Sequence, residues 1–140
     1  MNLEERLVKM LLDRSVVAGK IVNVSGASEV FDEGYVTYAN KSKAKLLGVS
    51  KEILDNEGAV SKECAMEMAI GCAKAANAQL GLSTTGIAGP GGGTEEKPVG
   101  LVYIGCSVNG KTTAKRCVFD GTRLANRQHT VETALEMLVE

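Results

Sequence analysis

Residues 79–119 read QLGLSTTGIAGPGGGTEEKPVGLVYIGCSVNGKTTAKRCVF, and this stretch decides the fold. Gly100–Val108, GLVYIGCSV, is dense in β-branched and aromatic residues, the types that suit a pleated surface. Asn109-Gly110 follows; a two-residue hairpin turn favours this dipeptide because both central positions take positive φ. Thr112–Phe119 is then the returning strand. Ahead of the hairpin, Gln79–Thr84 reads as a short strand. It empties into residues 85–94, TGIAGPGGGT, the most glycine-dense part of the chain.

Working back from this stretch, Ser61 is a natural N-cap, and Glu63 follows in the first turn, where negative charge suits the helix dipole. The Ala- and Met-rich run from there to about Ala78 reads as a helix. Ser50 caps a shorter helix, Lys51–Glu57, that ends at Gly58. Lys41–Leu47 reads as helical and stops at Gly48. Gly34–Ala39, GYVTYA, reads as a further strand. Val16–Val24 is apolar and small, with a helical start before a turn at Ser25-Gly26. Residues 2–14 form an amphipathic pattern, with Leu3, Leu7, Met10 and Leu11 on one side. Past the hairpin, residues 123–139 read as a closing helix. Helices alternate with strands and a hairpin follows. The expectation is an α/β fold: a single three-layer α/β/α domain over residues 1–140, with a mixed sheet and a C-terminal hairpin and helix.

The chain has 140 residues and is 44% hydrophobic, enough for one compact domain with its own core. Sixteen basic and 17 acidic residues leave a net charge of −1, with no block of one sign. That balance argues against nucleic acid and against an anionic membrane as partners. Three Tyr, two Phe and no Trp leave little for base stacking. No apolar run is long enough to span a bilayer, and Asn2, Glu4, Glu5 and Arg6 do not open a signal peptide. Cys64, Cys72, Cys106 and Cys117 form no CxxC pair, and His129 is far from them in sequence. They read as reduced thiols of a cytoplasmic protein, not as a metal site. Cys64 and Cys72 would share a helix face and pack in the core.

Three constellations could carry chemistry. Gly86, Gly89, Gly91, Gly92 and Gly93 let the backbone bring N–H groups close to a ligand, and a strand running into such a loop can cradle an anion. A plain flexible loop explains the glycines equally. No Gly-Lys-Ser/Thr follows, so this is not a P-loop. Thr85 adds a hydroxyl at the strand end, where α/β sheets place ligand contacts. Tyr38-Ala39-Asn40-Lys41-Ser42-Lys43 spans a strand end and a helix start. There a lysine of depressed pKa could act as a base and a tyrosine could relay a proton. A solvated helix face explains these lysines too. Arg123 and Arg127, four apart on one helix, could clamp a phosphate or carboxylate, or simply face water.

These segments resemble the C-terminal domain of the CinA family. The stretch from Ala18 through the helix after Ser61 follows its central block: Tyr38-Ala39-Asn40 and Lys43, then Gly58-Ala59-Val60-Ser61. The loop TGIAGPGGGTEEKPVG, residues 85–100, is similar almost letter for letter. The resemblance implies an amidohydrolase of pyridine-nucleotide salvage, in which nicotinamide mononucleotide and water give nicotinic acid mononucleotide and ammonia. It implies a small-molecule nucleotide as partner and no metal or organic cofactor. Lys43 and Tyr38 would assist a serine nucleophile. Thr85, Gly86, Gly89 and Gly91 would hold the substrate or its developing oxyanion, and Arg123 would reach the substrate at its phosphate. Ala39 stands where the family has serine, and Thr122 where it has aspartate. The larger departure is a missing segment. Members carry a strand and Glu-Ser-Cys-Thr-Gly-Gly before the VAGKIVNV stretch, whereas here Arg14-Ser15 runs straight into Val16. The nucleophile goes with that segment. The expectation is therefore an impaired amidohydrolase or a non-catalytic module that binds a pyridine mononucleotide or a phosphate ligand. A sheet short of one strand calls for a re-paired edge, a contact with a second copy, or residues fed into the gap.

Overall fold

The computed structural model describes residues 17–139. The helix expected over residues 2–14 lies outside them. In chain order the elements are α1 (Val17–Ile21), a 3₁₀ turn (Ala27–Glu29), α2 (Asn40–Leu47), α3 (Lys51–Asn56), α4 (Lys62–Ala75), β1 (Leu80–Gly86), β2 (Leu101–Val108), β3 (Lys111–Val118) and α5 (Arg123–Leu138).

Local chemistry sets most of these boundaries. Asn109 and Gly110 both take positive φ, 51° and 83°, and close the β2–β3 hairpin with Val108 opposite Lys111. Ser50 accepts a hydrogen bond from the Ile53 N–H at 3.3 Å, and Ser61 accepts one from the Cys64 N–H at 3.1 Å, so each caps its helix through a side-chain oxygen. Gly48, at φ 69°, ends α2 in the left-handed conformation that costs glycine least.

The sheet runs β1-β2-β3, and each of the two pairings is antiparallel. Helices cover both faces, so the α/β layering holds. On one face Gly81, Ser83 and Thr85 lie opposite Ser107, Gly105 and Tyr103, and α4 packs there at close range. A Cβ added at Gly81 would sit 2.1 Å from the Ala69 carbonyl oxygen, and one at Gly105 would sit 2.3 Å from that of Ala65. Ser83 donates its hydroxyl to the same Ala65 oxygen at 2.6 Å. Leu47, Val49, Cys64 and Met68 complete that side, with Cys72 packed against them as the spacing on α4 implies. On the other face Val102 and Ile104 meet Ala134 of α5.

Two expectations change. Gly34–Ala39 forms no strand. Tyr35 and Thr37 turn inward while Val36 and Tyr38 face out, so the period of two is present, but no neighbouring strand among the described residues supplies a ladder. For the same reason the sheet is antiparallel throughout the described residues and not mixed, because the one segment that could have added a strand runs unpaired.

Candidate functional site

The first turn of α4 is the meeting point of several candidates. Lys43 projects from α2 and is only 7% exposed, while Lys41 and Lys45 on the same helix are open to solvent. Its Nζ donates to the Thr37 carbonyl at 2.5 Å, and no carboxylate pairs with it among the described residues. Burial pushes the Lys43 pKa below the ordinary lysine value, partly offset by the nearby Cys64 thiol. Cys64 itself is fully buried, and burial raises its pKa despite the opposing charges of Lys43 and Lys97. A thiol kept protonated in this way is packing material, not a nucleophile.

Thr85 reaches the same turn from the sheet. Its hydroxyl donates to the Ala59 carbonyl at 2.7 Å, just ahead of the α4 cap. Ser61, besides capping α4, donates its hydroxyl to the Gly58 carbonyl at 2.8 Å. Lys97, from the far limb of the glycine loop, places its ammonium on the Glu57 carbonyl, at the C-terminal end of α3 where a cation is favoured.

The loop between β1 and β2 is held on three sides. Its base is closed by Ile87 N–H to Leu101 O at 2.9 Å and Gly100 N–H to Ile87 O at 2.7 Å. Val99 fills its inside, since a Cβ at Gly89 would lie 2.4 Å from Val99 Cγ1 and one at Gly93 would lie 2.7 Å from the Val99 nitrogen. Its first limb is fastened to α5. Arg123 Nη1 donates to the Gly89 carbonyl at 2.9 Å, and Asn126 Nδ2 donates to that of Ala88 at 3.0 Å. Gly91 meets nothing, so no steric demand keeps a side chain from that position.

The structure thus brings Lys43 and Thr85 to the start of α4 and joins Gly89 to Arg123, but it leaves Tyr38 apart. Tyr38 is 85% exposed, and its hydroxyl makes no hydrogen bond among the described residues. Gly86 sits against β2, where a Cβ would lie 2.7 Å from Val102 Cγ2, so its role is close packing of the strand end. Arg127 does not join Arg123 on the loop. His129 packs its ring against Phe119, with centroids 5.6 Å apart. Thr122 keeps the capping function that an aspartate would serve, accepting from the Ala125 N–H at 3.2 Å. Ala39, the N-cap of α2, offers no side-chain oxygen. Sequence reasoning missed Asn126. It is 1% exposed and shares a buried stripe of α5 with Thr130, Val131 and Ala134, a helical spacing that marks it as inward-facing.

Residues 15–140 match the CinA C-terminal domain family. The chain belongs to that family. A competence-damage inducible protein of Clostridium perfringens is 50% identical over 149 residues, a match that takes in 98% of this chain and 36% of that protein. The chain therefore spans about a third of the length of the curated relatives it matches. The aligned span exceeds the 140 residues of the chain itself, so the relative carries residues within it that this CinA domain lacks. Among solved structures, the competence/damage inducible protein CihA of Agrobacterium tumefaciens superposes with a TM-score of 0.85 at 44% identity, covering 88% of this chain and 76% of that one. A CinA superfamily protein of Escherichia coli superposes with a TM-score of 0.85 at 26% identity, covering 96% and 85%.

Proposed function

We propose that this CinA domain retains the substrate site of a nicotinamide mononucleotide amidohydrolase, acting in the cytoplasm, and that its own turnover is impaired because the serine segment is absent. The observation that carries the reading is Lys43. A lysine taken out of water with no carboxylate partner among the described residues is costly, and a buried amine of lowered pKa is what a proton-transfer role requires. Beside it, Thr85 and the anchored glycine loop supply a rigid frame for a small anionic substrate. In the family reaction Lys43 would take the proton of the attacking group, water would complete hydrolysis of the carboxamide, and ammonia would leave. A second reading, a module that holds a pyridine mononucleotide or phosphate ligand without turning it over, is favoured by the same loop standing beside a missing nucleophile.

The test is ammonia release from nicotinamide mononucleotide, by the chain as it stands and by a version with Glu-Ser-Cys-Thr-Gly-Gly inserted between Ser15 and Val16. Turnover only after insertion is the expected result, and Lys43→Met in that version should then lower the rate by about 10² or more. Turnover in both would mean that another nucleophile works here and that impairment is wrong. Turnover in neither, with a thermal shift on adding nucleotide, would favour the binding module; saturating ligand at about a hundred times Kd adds roughly 2.7 kcal/mol of stability. Neither turnover nor shift would sink both readings.

A further inference from the structure

We infer that Asn126 is a positioning residue that aims the Gly89 N–H at the ligand, an inference that rests on reading the glycine loop as the ligand's cradle. Asn126 is 1% exposed inside α5 and uses both ends of its amide. Its Oδ1 accepts the Gly121 N–H at 2.9 Å, which ties down the approach to α5, and its Nδ2 donates to the Ala88 carbonyl at 3.0 Å. The peptide joining Ala88 to Gly89 is trans, so its N–H points opposite to its C=O. With the carbonyl drawn onto α5, the Gly89 N–H is turned to the other side of the loop.

That N–H makes no hydrogen bond among the described residues, although Gly89 is buried. Buried backbone N–H groups almost always have an acceptor, so one held in place without one is a donor ready for an incoming oxygen. The next peptide cannot share the task, because Pro90 has no N–H and Arg123 occupies the Gly89 carbonyl at 2.9 Å. A side chain at position 89 is also shut out, because its Cβ would run into Val99 and because φ is 88°. Among the loop's unpaired N–H groups that of Gly89 is the one on a buried residue, since Gly91, Gly92 and Gly93 lie open to solvent, and Asn126 sets its direction from behind. The matching acceptor is an anionic or carbonyl oxygen of a mononucleotide.

Asn126→Asp separates the two ends of the amide. It keeps an acceptor for Gly121 and removes the donor to Ala88, setting a carboxylate against that carbonyl. Thr130→Val serves as a control, because it deletes another buried hydroxyl of α5, one that bonds only the Asn126 backbone carbonyl at 2.7 Å. Nicotinamide mononucleotide and nicotinic acid mononucleotide are titrated into ¹⁵N-labelled protein below its melting range. The Gly89 amide resonance should move on binding, Asn126→Asp should weaken affinity by roughly tenfold, as loss of one directed hydrogen bond implies, and Thr130→Val should bind like the parent. Binding with a stationary Gly89 signal, or equal affinity in Asn126→Asp, overturns the positioning role and leaves the cradle standing. If the parent binds neither nucleotide, the cradle reading falls and takes this inference with it. If Asn126→Asp does not fold, the Gly89 signal of the parent decides.

Discussion

Lys43 shows how one side chain can differ from neighbours of the same type. Successive residues of a helix turn by about 100°, so Lys43 points away from the side that Lys41 and Lys45 share, and it falls on the same face as Leu47, four residues on. Leu47 is in the core, and Lys43 goes in with it. That much was legible in the spacing, whereas the Thr37 carbonyl that receives its ammonium was not. The lowered pKa has a consequence for stability. Below its folded pKa the native state must carry a buried charge, and between that value and the ordinary lysine pKa the unfolded chain binds a proton that the native chain does not. Stability contributed through this group therefore rises with pH across that window. The four cysteines, all raised by burial, act in the opposite sense, since the unfolded thiols lose protons first. They remain in both proteins of a comparison. Lys43→Met should be most favourable relative to the parent near neutral pH, and that advantage should shrink as the pH approaches about 10. Denaturant unfolding of both proteins at several pH values measures it, and a difference that stays constant with pH would contradict the buried, depressed lysine.

At the scale of elements, the site depends on how closely α4 lies on the sheet, because its first turn is where Lys43 and Thr85 converge. That approach is bought with small residues: Ala65 and Ala69 on the helix against Gly81 and Gly105 on the strands. Gly105→Ala would place a methyl 2.3 Å from the Ala65 oxygen, which cannot retreat without lifting the helix, and 2.5 Å from Ser83 Oγ, which could swing away only by giving up its bond to that oxygen. The expected cost is roughly 1–3 kcal/mol, read as a lower urea midpoint at unchanged slope. Gly91→Ala, which meets open space, should stay within about 0.5 kcal/mol. Equal effects from the two substitutions would mean that the helix has room to move. The elements that the sequence identified correctly are those set by local chemistry: the Asn109-Gly110 turn, the caps at Ser50 and Ser61, and the stop at Gly48. The misread element, residues 34–39, has the alternation of a strand, but a strand also needs a partner, and pairing is not a local property. Asn126 was missed for a related reason, since a polar residue on a helix reads as solvated until the loop it bonds is folded over it.

Across the whole molecule, protection is unevenly distributed, and the candidate site spans the difference. β2 is the central strand, paired on both edges and covered by α4 and α5, with Leu101 and Ile104 almost completely buried. Amides of β2 should therefore exchange with solvent only when the domain unfolds. Residues 32–38 donate no backbone hydrogen bonds to other described residues, and Val36 and Tyr38 lie open to water. Those amides should exchange at close to the rate of an unfolded chain. Yet Thr37, in the middle of that segment, holds Lys43. The lysine's anchor thus belongs to a stretch without a backbone ladder among the described residues, and its helix carries Leu47 into the core. A nucleotide that engages Lys43 must favour states in which residues 32–38 are closed. Added nicotinamide mononucleotide should then slow exchange in that segment by more than the uniform stabilisation it confers on β2. Native-state hydrogen exchange with and without the nucleotide measures both. Slowing confined to β2, or equal slowing in both places, would mean that the ligand binds without touching the lysine's anchor, and that Lys43 is buried for packing alone.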